Sequence, residues 1–136
     1  VFIQAVLGQR ENLQIFGDDY PTKDGTCVRD YIHVLDISDA HIQALDNLDK
    51  HPRGKYNLGN GKGYTNLEVV KMVEKISGKK LKYEISGRRP GDPTILVASS
   101  SLAKKEFGWE PKYIDLETIV YDAFEWHIKQ PAGYDL

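Results

Sequence analysis

Apolar residues recur at helical spacing in three stretches of this 136-residue chain: Ile37, Ala40, Ala44, Leu45, Leu48; then Val69, Val70, Val73, Ile76; then Leu116, Ile119, Val120, Ala123, Phe124. Residues three and four apart share one face of a helix, so each run predicts an amphipathic helix with its stripe turned inward. Start and stop signals frame all three. Asp36, with Asp39 three residues on, reads as the N-cap of the first, and Thr65 with Glu68 reads as a capping box for the second, which Gly78 ends. Asp115 opens the third, which stops before Pro131. A shorter helix is expected from the Ser100 cap to Phe107, closed by Gly108, and residues 1–9 read as the tail of a helix entered midway.

Strand signals lie between these helices. Residues 29–34 alternate, with Tyr31 and His33 on one side and Ile32 and Val34 on the other, and short strands are also expected at 13–16, 55–59, 81–85 and 95–98. The chain has no internal repeat, low-complexity tract or linker rich in Pro, Gly or Ser, so it reads as one domain over 1–136, of mixed α/β class with short strands and helices.

Composition narrows the function more than the fold. With 40% hydrophobic and 28% charged residues the chain is globular, and its net charge of −2 supplies no general attraction for nucleic acid or an acidic membrane. Any anion site must therefore be local. Cys27 is the single cysteine, which excludes an internal disulfide and a cysteine metal cluster, and His33, His41, His51 and His127 lack ligand spacing, so no metal site is expected. The opening carries no initiator Met, basic leader or cleavage site and is too short to span a membrane, which reads as the interior of a longer protein.

Three segments carry candidate chemistry. Residues 16–36 run FGDDYPTKDGTCVRDYIHVLD, a turn-rich surface loop that leads into Arg29, whose planar fork suits phosphate oxygens but equally suits a pairing with Asp30 or a loop aspartate. Residues 88–92 run RRPGD, two adjacent arginines that must face either water, with Asp92 as partner, or an anion. If Arg29 and one of this pair converge, they grip a diphosphate from two sides. The run Gly59, Asn60, Gly61, Lys62, Gly63 looks like a phosphate loop only superficially, because its spacing is GxGxG and Tyr64 stands where a dinucleotide fingerprint needs glycine, so a tight structural turn is expected. No GxSxG elbow and no YxxxK pair is present, and Tyr113, Tyr121, Phe124 and Trp126 read as core and surface cover.

The succession IFGDDYPTKDGTCVRDYIHVLD, KYNLGNGKGYTNLEVV, RRPGDP, FGWEPKY and WHIKQPAGY resembles the carboxyl-terminal part of the UDP-glucose 4-epimerases, also called UDP-galactose 4-epimerases, a family of the extended short-chain dehydrogenase type. The resemblance covers essentially the whole chain. It implies a cytoplasmic, homodimeric parent enzyme with tightly bound NAD, acting on UDP-glucose and UDP-galactose by inversion at hexose C4 through a 4-keto sugar. It further implies that the backbone of residues 14–16, Gln14 to Phe16, meets the uracil, that the Phe16 ring packs on the base, that Arg29 and Arg89 hold the diphosphate, that Asp92 sits at the ribose, and that Leu96 walls the sugar pocket. The NAD loop, the catalytic tyrosine and its lysine would all lie upstream of Val1. The helix after Asp36 and the strand at 55–59 would complete the upstream Rossmann sheet, so residues 36–60 are expected to pack with the absent NAD-binding lobe. Alone, the chain should expose an apolar patch around Ile37, Ala44 and Leu45, or hide it by self-association. A UDP-pentose or UDP-N-acetylhexosamine 4-epimerase, a dehydratase of the same family, and a non-catalytic interaction module are the alternatives.

Overall fold

A computed structural model describes residues 1–134. In chain order it contains α1 (Phe2–Val6), β1 (Gln14–Phe16), β2 (Val28–Asp30), α2 (Val34–Asp46), β3 (Gly63–Thr65), α3 (Asn66–Ser77), β4 (Glu84–Ser86), β5 (Ile95–Leu96), α4 (Ser101–Phe107) and α5 (Leu116–Lys129). The α/β class is as expected. Two small sheets result, a parallel pair of β1 with β4 and a three-stranded sheet in which β2 is flanked by antiparallel β3 and parallel β5.

The helix signals behave locally. Thr65 accepts from the Glu68 N–H while the Glu68 carboxylate accepts from the Thr65 N–H, the reciprocal pair that the capping box anticipates, and Gly78 ends α3 in the left-handed conformation. Asp115 caps α5 by accepting from Thr118, and Leu116, Ile119, Val120 and Phe124 of that helix are buried. Val69, Val70 and Val73 of α3 meet α5 and α1 in the main core, joined by Leu13, Ile15 and Leu81. A second, smaller core holds Trp109 against Ala40 and Ala103, with Ile32, Tyr56, Leu58 and Phe107 around it.

Four local expectations are corrected. The strand at 29–34 stops at Asp30, because His33 caps α2 by accepting from the Leu35 N–H through Nδ1. Asp36 is therefore not the cap. It lies buried in the first turn, where its carboxylate accepts from the backbone N–H groups of Lys112 and Tyr113. Ser100 stands at the start of α4, yet its hydroxyl is turned to the N–H and the carbonyl of Gly59 and caps no N–H of the helix. Ala123 is exposed, because it lies on the face of α5 that turns away from Val120 and Phe124 into an open groove beside Val34 and Leu35.

Residues 55–59 form no ladder among the described residues, since a strand exists only where a partner takes its backbone groups. The expected apolar exposure on α2 is present but shifted. Ala40 is buried, Ile37 and Ala44 are half-buried, and Leu45, Ile42 and Leu48 are exposed together with Val34 and Leu35. No helix among the described residues is long and apolar enough to cross a membrane.

Candidate functional site

Strand pairing assembles the site from four distant segments. Parallel pairing of β1 with β4 sets Phe16 opposite Ser86, so the loop that follows each strand, at 17–25 and at 87–92, leaves from the same edge. Parallel pairing of β2 with β5 sets Arg29 beside Leu96, just beyond Asp92 and Pro93. A cleft of about 280 Å³ opens between these segments, lined by Gln14, Phe16, Arg89 and Asp92, with Arg10, Asn12, Leu13, Cys27, Asn66 and Val1 completing it.

The three arginines at this end do different work. Arg88 leaves the cleft, donates to the Asp19 carboxylate and the Asp19 carbonyl, and lies 4.1 Å over the Tyr20 ring, tying the two loops together. Arg89 turns the other way, placing its guanidinium 4.5 Å from the centre of the Phe16 ring and donating through Nε and Nη2 to Asp92 Oδ2. A cation over an aromatic face is favourable in itself and keeps both groups at the cleft wall. Arg29 donates to Asp92 Oδ1 at 2.7 Å and to the carbonyls of Val28 and Pro93. Two arginines on one carboxylate leave a local surplus of positive charge.

Sequence alone leaves the partner of Arg29 open between Asp30, the loop aspartates and an anion. In the fold that partner is Asp92, because Asp30 is already committed to the N–H groups of Asn60, Gly61 and Ala98. Gln14, Phe16, Arg89 and Asp92 line one cleft, and Arg29 stands outside that lining, joined to it through Asp92. Leu96 does not line this cleft and is exposed on β5 next to Arg29. Asn66 and Cys27 were not anticipated: antiparallel pairing of β3 on β2 brings Asn66 beside Cys27, where its amide donates to Sγ at 3.3 Å and its N–H to the Cys27 carbonyl. Only the long-range register reveals that neighbour.

The glycine-rich turn at 59–63 is structural. The Asp30 carboxylate occupies the Asn60 and Gly61 N–H groups that a phosphate would need, and a Cβ at Gly63 would run into the side chains of Val28 and Val97. Among the described residues no cluster of His, Cys, Asp and Glu has metal-binding geometry.

Loop 17–25 is latched onto α3 by charged groups. Asp24 accepts from the Thr65 and Thr26 hydroxyls and the Thr26 N–H, and Lys23 pairs with Glu68. Burial pushes the Asp24 carboxyl up, but the bonds from Thr65 and Thr26 outweigh it and hold it below the usual carboxylate range. Glu68 behaves alike, burial being outweighed by Lys23 and the Thr65 N–H. A carboxyl lowered by folding adds stability above its unfolded pKa and loses it as the pH falls through the folded one. The protection of the amides in 20–26, taken relative to their intrinsic exchange rate at each pH, should therefore hold from about pH 7 to about 5 and fall below about pH 4, near the ordinary carboxylate values; the same loss already at pH 6 would contradict the latch.

The family model described as GDP-mannose 4,6 dehydratase matches residues 1–123. A UDP-glucose 4-epimerase of Halalkalibacterium halodurans is 50% identical over 135 residues, which are 98% of this chain and 40% of that protein. A crystal structure of a UDP-glucose 4-epimerase agrees with a TM-score of 0.88 at 47% identity, over 99% of this chain and 41% of that one. Another, from Bifidobacterium longum in complex with NAD+ and UDP, gives 0.83 at 38% identity, over 98% and 39%. The chain spans about two-fifths of the length of these relatives. It belongs to the family described as GDP-mannose 4,6 dehydratase, where its counterpart is a part of the UDP-glucose 4-epimerases.

Proposed function

We propose that this chain is the UDP-sugar-binding, carboxyl-terminal part of an NAD-dependent UDP-glucose 4-epimerase of the cytoplasm, a homodimer as the full enzyme. The observation that carries this reading is the convergence of Arg29 and Arg89 on Asp92, which with Arg89 lines a cleft walled by Gln14 and the Phe16 ring. A uracil packed at Phe16 and a diphosphate at the arginines match the two chemistries of the cleft, one flat and apolar, one cationic. In such an enzyme binding energy from the unreacting nucleotide positions the reacting carbon of the sugar.

The described residues do not fit NAD. Their one glycine-rich turn before a helix has its N–H groups filled by Asp30, and a dinucleotide would find no phosphate cradle there. NAD and the proton-transferring tyrosine belong, in this reading, to the remaining three-fifths of the relatives' length, and residues 36–60 pack against that lobe. The exposed row Val34, Leu35, Ile42 and Leu45 on α2, with Leu48 in the turn after it, suits such a covered face. This chain alone is then catalytically inert.

Two measurements test the reading. The full enzyme should interconvert UDP-galactose and UDP-glucose, and an assay with UDP-N-acetylgalactosamine and a UDP-pentose sets its range at the sugar wall, a role that this reading gives to Leu96. Calorimetry should show UDP binding weakened about tenfold or more by Arg89→Ala, as loss of a charge-assisted contact requires. Unchanged affinity would remove the diphosphate from this site.

A further inference from the structure

The two arginines on Asp92 are held very differently. Arg29 is 20% exposed and anchored three times, by Asp92 and by the carbonyls of Val28 and Pro93. Arg89 is 58% exposed, and among the described residues Asp92 is its one hydrogen-bond partner. Asp92 itself is 13% exposed, with Oδ1 given to Arg29 and Oδ2 to Arg89. Beyond the Phe16 ring itself, Arg89 therefore depends on a single carboxylate for its place, while Arg29 has two backbone carbonyls to hold it besides Asp92.

We propose that Asp92 is a positioning residue: it holds Arg89 over Phe16 and beside Arg29 before the nucleotide arrives, so that the diphosphate meets two guanidinium groups already in place. This rests on the UDP reading above and gives Asp92 a part beyond the ribose contact that the family resemblance implies. Guanidinium groups repel when brought together, and a free arginine side chain has rotamer freedom to lose on binding. The Asp92 carboxylate removes both costs in advance, which is preorganisation. Bonds from Arg89 and Arg29 outweigh burial and hold the carboxyl below its ordinary range, so it carries its charge at neutral pH. Three Arg89 N–H groups remain for phosphate while Asp92 keeps its hold, since only Nε and one Nη2 hydrogen are used.

The test compares UDP with uridine on the intact enzyme, by calorimetry for UDP and by displacement for uridine. Asp92→Asn removes the charge at nearly constant shape and should weaken UDP about tenfold or more while changing uridine by less than about twofold. In the Arg89→Ala background the same change should cost UDP less than about twofold, because the group it positions is gone. Asp92→Ser serves the same comparisons where the Asn variant does not fold. Equal losses for UDP and uridine would place Asp92 at the ribose alone and overturn the proposal. So would a rise in UDP affinity, which would make Asp92 a competitor of phosphate, or full additivity with Arg89→Ala. If the unaltered enzyme binds no UDP, the function proposed above fails instead.

Discussion

Replacing Trp109 with alanine is expected to lower the unfolding free energy by about 4 kcal/mol, read from the midpoint and slope of a urea transition. The indole is fully buried and fills the centre of the second core between Ala40 and Ala103. The two residues buried with it, Ala40 and Ala103, are too short to reach into the space, so most of the cavity penalty should persist. The substitution also removes the Nε1 donor of the Asp36 carbonyl at 3.1 Å, a bond that joins the start of α2 to the segment after α4. Trp109→Phe should recover most of the packing and leave about 1 kcal/mol, the usual net worth of one hydrogen bond. A loss below about 1.5 kcal/mol for the alanine variant would mean that this core is looser than described.

Gly25→Ala is the second large effect, and it reaches the site. Gly25 has φ +81°, and an added Cβ would overlap the backbone carbonyl of Asp18, which no side-chain rotation can relieve. The left-handed conformation alone costs a non-glycine residue about 1–2 kcal/mol. The overlap breaks the closure of the loop, whose ends meet where the Gly25 carbonyl accepts from the Tyr20 N–H at 2.9 Å. Tyr20 supports Arg88, and Asp19 receives its bonds, so the loop carrying Arg89 loses its brace. Thermal unfolding should register about 3 kcal/mol, and UDP affinity should fall about tenfold or more. Gly61→Ala is the control: its φ is +76° but nothing stands within 4 Å of the added carbon, so only the conformational cost of about 1 kcal/mol applies.

Local signals were the most legible in the sequence. The capping box at Thr65, the cap at Asp115 and the stops at Gly78 and Gly108 depend on residues within one turn of each other, and the structure has each of them. The failures came where a tertiary partner outbid the local choice. Asp36 has the side chain of a good cap, but two backbone N–H groups from 112 and 113 claim it, and His33 takes over the capping role. Ser100 is drawn off by Gly59 in the same way. At the site the residue types were readable and their partners were not: Arg29 lies 63 positions from Asp92, and only the parallel pairing of β2 with β5 brings them within reach. Asn66 at the cleft wall has no local signature at all, because it faces Cys27 through the β2 and β3 register.

The most direct test of the central claim is a crystal structure of the full enzyme with UDP-glucose bound. The expected result places the uracil against Phe16 near the backbone of Gln14, and the diphosphate between Arg29 and Arg89 with Arg89 still over the Phe16 ring. Nucleotide density away from the cleft walled by Gln14, Phe16, Arg89 and Asp92, or a diphosphate that touches neither arginine, would contradict it.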